Sequence, residues 1–277
     1  MKTWLITGAS RGFGARIAAL ALAKGDNVVA TARKVEAVTA RLGDHPSLLA
    51  LSLDVTDEAQ AKAAAAAAVE RFGGIDVLVN NAGFGLLGAV EEATAEEVER
   101  LYRTNVFGLL AVTRAVLPTM RAQRSGRILN ISSIGGYRGA AGFGVYSSTK
   151  FAVEGLTEAL HAELKPLGVH VTAIEPGYFR TDFLDASSLS VSRNRIEDYS
   201  ATAGTVRTRA ANLNQAQPGD PDRLAQVLVE FVDAPNPPVR LPLGSDTVAA
   251  IEAKHASDSA ILAQWRAVST STDFAAT

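Results

Sequence analysis

The chain has 277 residues, 47% hydrophobic and 20% charged, enough apolar content for a sizeable core and too much for a disordered segment. A formal net charge of −2 with no basic block argues against nucleic acid as a partner. The absence of cysteine removes disulfides, thiolate nucleophiles and cysteine metal sites together, and fits a reducing, cytoplasmic setting.

The apolar run at the N-terminus, Lys2 to Ile6, is too short for a signal peptide and reads as a strand. It enters a glycine-rich turn, Thr7-Gly8-Ala9-Ser10-Arg11-Gly12-Phe13-Gly14, and a helical pattern follows from Ala15 to Lys24. Strand, glycine turn and helix start form the context that cradles a pyrophosphate. Gly8 permits the turn, Gly12 admits a phosphate to the backbone, and Gly14 lets helix and strand approach. The second strand, Asn27 to Thr31, runs on to Arg33 with no carboxylate to meet a ribose hydroxyl. Arg11 and Arg33 are either solvated surface arginines or the two guanidinium groups that hold a ribose 2′-phosphate, favouring NADP(H) over NAD.

Leu48 to Leu53 reads as a third strand, followed by Asp54-Val55-Thr56-Asp57; Thr56 or Asp57 caps a helix that runs to Phe72. Asp54 either ends the strand or accepts from an adenine amino group. Ile75 to Val79 is a fourth strand running into Asn80-Asn81-Ala82-Gly83, at the strand end where such folds place ligands. Thr94 to Met120 is helical with a break or shift near Gly108; Asn105 within it is either a packing amide or part of a polar relay. Arg127 to Ile131 is a strand that leads through Ser132 and Ser133 into a glycine-rich loop.

Tyr146 and Lys150 then open a long helix to about Leu167, one turn apart on one face. A positive charge beside a phenol favours its ionised form, which suits proton exchange with a carbonyl or an alcohol. Ser133 is placed to donate to the same substrate oxygen. Val169 to Ile174 is a sixth strand, ending in Glu175-Pro176-Gly177. The alternation of strand and helix predicts a single α/β domain, a Rossmann-type doubly wound parallel sheet of about seven strands with helices on both faces. No stretch of about 20 apolar residues spans a bilayer, and the four histidines have no metal-ligand spacing.

Taken in order, Thr7-Gly-x-x-x-Gly-x-Gly14, Asp54-Val55, Asn80-Asn-Ala-Gly83, Asn105, Ser133, Tyr146-x-x-x-Lys150 and Pro176-Gly177 resemble the short-chain dehydrogenase/reductase family. The likeness covers about residues 2 to 182, and the C-terminal third looks most like the hydroxysteroid-dehydrogenase-like branch. The resemblance implies that Tyr146 is the general acid or base and that Lys150 lowers its pKa and holds the nicotinamide ribose. It implies further that Ser133, with Ser132 as the competing assignment, polarises the substrate oxygen, and that Asn105 holds a water on the proton path. Gly8, Ser10, Arg11, Gly12, Phe13, Gly14, Arg33, Asp54, Val55, Asn81, Ala82 and Gly83 would line the cofactor. Pro176, Gly177 and Thr181 would position the carboxamide.

The expected substrate is a ketone, aldehyde or steroid-like carbonyl, or the matching alcohol, in a pocket of Phe84, Leu86, Tyr137, Phe143, Tyr178 and Phe183. Family members are commonly homodimers or homotetramers. Residues 182–220 are expected to form a lid, a helix is expected near 222–233 and a strand near Val239, and 257–277 reads as a poorly ordered tail. Two other functions fit the same fold: a non-catalytic NADP(H) sensor, and a dehydratase or epimerase.

Overall fold

The structure is a computed structural model that describes residues 1–274. The chain runs β1 (Thr3–Thr7), α1 (Gly12–Ala23), β2 (Asn27–Ala32), α2 (Val35–Leu42), β3 (Leu48–Ser52), α3 (Glu58–Phe72), β4 (Val77–Asn80) and β5 (Gly85–Leu87). It continues through α4 (Ala95–Tyr102), α5 (Leu109–Gln123), β6 (Gly126–Ile131), α6 (Gly144–Leu164) and β7 (Val169–Pro176). It closes with β8 (Leu189–Val191), α7 (Thr205–Leu213), α8 (Pro221–Phe231), β9 (Arg240–Leu243) and α9 (Ser245–Thr270).

Seven strands pair in the order β3-β2-β1-β4-β6-β7-β9, every pair parallel. A parallel sheet with helices on both faces must be apolar on both sides. Accordingly β1, Thr-Trp-Leu-Ile-Thr, is buried along its whole length. Alternate residues feed two cores: Trp4 and Ile6 pack with Ile17, Leu224 and Leu228, while Leu5 packs with Val112, Val116 and Met120 on the other face. The crossover order reverses between β1 and β4, so the crevice for a ligand opens above their C-terminal ends.

Several local expectations shift. The first helix begins at Gly12, taking the last glycines of the turn into its first coil. The helix after β5 is broken by a π segment, Arg103–Gly108, that carries Asn105; such single turns concentrate at functional sites. Asp57, not Thr56, caps α3, accepting from Ala59 and Gln60. A short two-stranded sheet, β5 with β8, joins residues 182–220 to the body.

The tail reading is corrected. Residues 245–270 form one helix of 26 residues, and only 275–277 lie outside the described residues. Alanines around the helix blur its periodicity, yet Ile261, Leu262, Trp265 and Val268 form an exposed apolar stripe.

Candidate active site

A cleft of about 710 Å³ lies over the C-terminal ends of the central strands, a volume suited to a small ligand. Its floor begins at the glycine turn. Gly8 and Gly12 have φ of 66° and 59°, in the region that favours glycine, and nothing lies within 4 Å of the place a Gly12 side chain would take. The cleft there is open to an anionic group beside backbone N–H donors. Gly14 is packed instead: a Cβ would stand 2.6 Å from both the Asn81 Nδ2 and the Gly8 carbonyl. Asn81 explains this closeness, because its Nδ2 donates to the Thr7 and Gly8 carbonyls at 2.9 and 3.0 Å. The Thr7 hydroxyl in turn accepts from the Asn81 and Ala82 N–H groups at 3.0 Å each. One asparagine thus locks the β1 turn to the β4 turn. Its neighbour Asn80 is buried and structural, donating to Thr113 and Asn130.

Ser10, Arg11, Phe13, Arg33, Asp54, Val55, Ala82 and Gly83 all line this cleft. Arg11 donates to the Ser187 carbonyl at 2.6 Å, so residues of the 182–220 segment already reach across to the glycine turn. Asp54 is held by Thr56, whose N–H and hydroxyl both donate to its Oδ1.

At the other end stand Ser133, Tyr146 and Lys150. Ser133 sits at the start of a 3₁₀ turn, its hydroxyl accepting from the Gly135 N–H at 3.0 Å. Ser132 faces away, with its buried hydroxyl against Gly136 and the Glu154 stem. Lys150 Nζ lies 5.8 Å from the Tyr146 ring centroid and donates to the Ile131 carbonyl at 2.7 Å.

The pKa values run against the sequence expectation. Burial strips the phenolate of solvation and pushes Tyr146 up to about 12, with the Ser133 hydrogen bond pulling the other way. Lys150 is buried as well, which lowers it to about 8 against the pull of Glu154. Burial thus favours the protonated phenol of Tyr146 over the phenolate.

Asn105 does not line the cleft. Its Nδ2 donates to the Phe84 carbonyl and the Thr149 hydroxyl at 2.9 and 3.2 Å, and its Oδ1 accepts from the Phe84 N–H at 3.1 Å. It fixes the chain after Gly83, where a Cβ would approach both Asn105 and Lys150 Nζ.

Of the expected pocket residues, Phe84, Phe143, Tyr178 and Phe183 line the cleft, with Phe143 and Phe183 at 6.0 and 5.5 Å from the Tyr146 ring. Two do not. Leu86 is buried in a cluster with Leu101 and Tyr146. Tyr137 points to α9, where its hydroxyl bonds His255 and its ring faces the Arg240 guanidinium at 5.3 Å.

The structure adds residues that the sequence did not signal. Arg100, Arg103 and Arg138 line the cleft, which is therefore more cationic than its aromatic residues suggested. Pro176, Gly177 and Thr181 line it as well. Asp246 at the start of α9 occupies the space beside Gly177, where any Cβ would meet its carboxylate, and accepts from the Tyr178 N–H at 2.8 Å. Behind the Ser132–Ser133 turn lie the buried Glu154 and Glu175, both within reach of the half-buried Arg240. Burial and the neighbouring Glu154 push Glu175 up to about 8. None of these positions belongs to a local motif; each is brought in by a distant strand or helix.

The chain matches the short chain dehydrogenase family over residues 2–191, and it belongs to that family. It is 39% identical over 240 residues to a 3-ketodihydrosphingosine reductase of Bacteroides thetaiotaomicron, covering 87% of each chain. It superposes on a short-chain dehydrogenase from Streptomyces avermitilis with a TM-score of 0.91 at 42% identity, covering 99% of this chain and 100% of that one. It also superposes on the closed form of a serine dehydrogenase complexed with NADP+, with a TM-score of 0.73 at 30% identity over 87% and 94% of the two chains. The chain is therefore an oxidoreductase of the short-chain type.

Proposed function

We propose that the protein is an NADP(H)-dependent carbonyl reductase, working as an alcohol dehydrogenase in reverse. One observation carries this reading: Ser133, Tyr146 and, one helical turn on, Lys150 converge at the aromatic end of a cleft whose other end is a glycine cradle. When bound, the nicotinamide cofactor supplies hydride to a carbonyl carbon, or takes it from an alcohol. The chain's own groups do the rest. The Gly12 backbone leaves room for the pyrophosphate, and Arg11 and Arg33 suit a 2′-phosphate. NADP+ in the serine dehydrogenase neighbour supports the same choice.

In reduction, Tyr146 donates its proton to the substrate oxygen while the Ser133 hydroxyl donates a hydrogen bond to it. Lys150 restores the proton from its ammonium, and Asn105 holds the Phe84 backbone so that the wall beside Lys150 stays in place. The aromatic wall favours an apolar ketone or aldehyde, and the reductase relative acts on a 3-keto compound by name. Arg100, Arg103 and Arg138 add tolerance for an anionic group remote from the carbonyl. Residues 182–220 act as the movable lid, and the chain works in the cytoplasm as a homodimer or homotetramer. The stripe on α9 offers one apolar face for such an assembly. No helix among the described residues is long and apolar enough to cross a membrane.

The test is NADPH and NADH consumption over a panel of ketones and aldehydes, for the wild type and Tyr146→Phe. NADPH-linked turnover that falls about 10²–10⁴-fold in the variant, with NADPH binding retained, is the expected outcome. Equal turnover in the two proteins would overturn the assignment of Tyr146.

A further inference from the structure

On α6, Tyr146 and Lys150 are followed one turn later by Glu154, so phenol, ammonium and carboxyl stand in one row along the helix. All three are buried, and the reaction described above uses only the first two. Side chains on a helix lean toward its N-terminus, which carries Glu154 over the turn of Lys150. The place a Gly136 Cβ would take lies 3.0 Å from both the Lys150 carbonyl and the Glu154 Cγ, so the two residues close on one point.

A second carboxyl stands beside Glu154. β6 and β7 run in parallel register through Ile131 and Ile174, so Ser132 and Glu175 follow side by side. Glu154 and Glu175 both reach one nitrogen, Arg240 Nε, at 3.1 and 3.5 Å. Ser132 Oγ, Glu154 Oε1 and both oxygens of the wholly buried Glu175 have no hydrogen-bond partner among the described residues. An ionised carboxylate only accepts, and two side by side disfavour each other's charge. Arg240 also pairs with Glu158 at 2.8 Å, and one guanidinium does not balance three carboxylates. Glu154 is the buried member that stays ionised, because its Oε2 accepts a hydrogen bond from Arg240 Nε and Glu175 does not.

We propose that the Glu154 carboxylate is the counter-ion of the Lys150 ammonium, and so a positioning residue for proton transfer through Tyr146. The part in proton transfer rests on the reductase reading above; the counter-ion does not. Lys150 Nζ donates to the Ile131 carbonyl at 2.7 Å, a neutral acceptor that orients the ammonium without offsetting its charge. Burial works against that charge and lowers Lys150 to about 8, with Glu154 pulling the other way. The other charged side chains on the elements around α6 are Arg100 from α4, Arg103 from the π segment, Arg138 ahead of α6, Asp182 after β7, and Asp246 and His255 from α9. All six are exposed or half-buried, where water and salt screen them. A fall of about one unit in the Lys150 pKa would take its protonated fraction at pH 7 from about nine-tenths to about a half. The proton that Lys150 returns to Tyr146 would be lost in proportion.

The test is titration of the lysine side chains by carbon NMR in the full chain without cofactor. The Lys150 signal, one of seven lysines, is assigned by its loss in Lys150→Met. Glu154→Gln and Glu154→Asp are made in a Glu175→Gln background, so that Glu175 cannot take over the charge. Glu175→Gln alone should leave Lys150 titrating near 8. Adding Glu154→Gln should lower it by about one unit. Adding Glu154→Asp instead, which returns the charge on a shorter side chain, should recover most of that shift. In NADPH-linked reduction the alkaline limb of the pH profile should move to lower pH with the Lys150 titration. An unmoved Lys150 titration in the Glu154→Gln double variant would overturn the counter-ion. So would an equal fall in the Glu154→Asp double variant, or in Glu175→Gln alone. The expected Lys150 shifts in a protein that turns over no carbonyl would uphold the counter-ion and overturn the reductase reading.

Discussion

The two ends of the cleft are held by different forces. Around the glycine turn, the site is fixed by close backbone contact and by neutral hydrogen bonds from Asn81 and Thr7. Around residues 182–250, buried carboxyl groups and the arginines that meet them do the same work. Glu92, fully buried, accepts from the Ala89 and Ile196 N–H groups and pairs with Arg207, pinning the base of the 182–220 segment. Glu97 accepts from Arg193 in the same way. Arg240 spans Glu154, Glu158 and Glu175 beneath the Ser133 turn. The glycine end is thus built to be indifferent to pH, whereas the substrate end rests on buried carboxyl groups whose contribution changes with their ionisation.

Breaking one partner of a buried pair tests this difference most sharply. Arg207→Leu leaves the Glu92 carboxylate buried without its cation, and should cost about 3–5 kcal/mol of stability, read from urea denaturation. A loss under 1 kcal/mol would show that the two N–H donors suffice for Glu92. At the other end, Gly14→Ala forces a Cβ against backbone and the Asn81 amide, and should cost about 1–3 kcal/mol with a matching fall in NADP+ affinity. Wild-type affinity would mean that the lock between the β1 and β4 turns yields easily.

Glu175→Gln should have the smallest effect in acid and grow with pH. The Glu175 pKa in the fold, about 8, lies above its ordinary value of 4.5. Its favourable contribution is therefore complete below about pH 4.5 and is lost as pH rises toward 8. Glu154 and Arg240 face it and act in opposite directions, Glu154 raising and Arg240 lowering its pKa. The variant should match the wild type near pH 5 and gain on it up to pH 8. Parallel stability curves from pH 5 to 9 would show that Glu175 is ionised throughout.

The same contrast decides what could be read from the sequence. Gly8, Gly12, Gly14 and Asn81 are legible because turn chemistry is local, and Tyr146 and Lys150 because a helix sets their spacing. The parallel sheet with helices on both faces follows from the alternation of strands and helices. Leu86 and Tyr137 were misplaced because aromatic or aliphatic character says nothing of the face a residue takes. Arg100 sits among glutamates on α4 and gives no sign in sequence that it borders the cleft. Asp246, Glu175 and Arg240 act across long separations in the chain, so no local pattern announces them. The reach of α9 was hidden by its alanines, which soften the apolar stripe into a bland run.

The lock between Thr7 and Asn81 also bears on how the molecule acquires its site. That hydrogen bond closes 74 residues of chain, and every neighbouring pair in the main sheet is joined by a crossover rather than a hairpin. Closing such loops is slow because the entropy is lost before the contacts form. The cradle and the Tyr146 end accordingly come together only when the sheet is nearly complete. The glycine cradle thus needs β1 and β4 side by side, while the complete site also needs β6, α6 and β7.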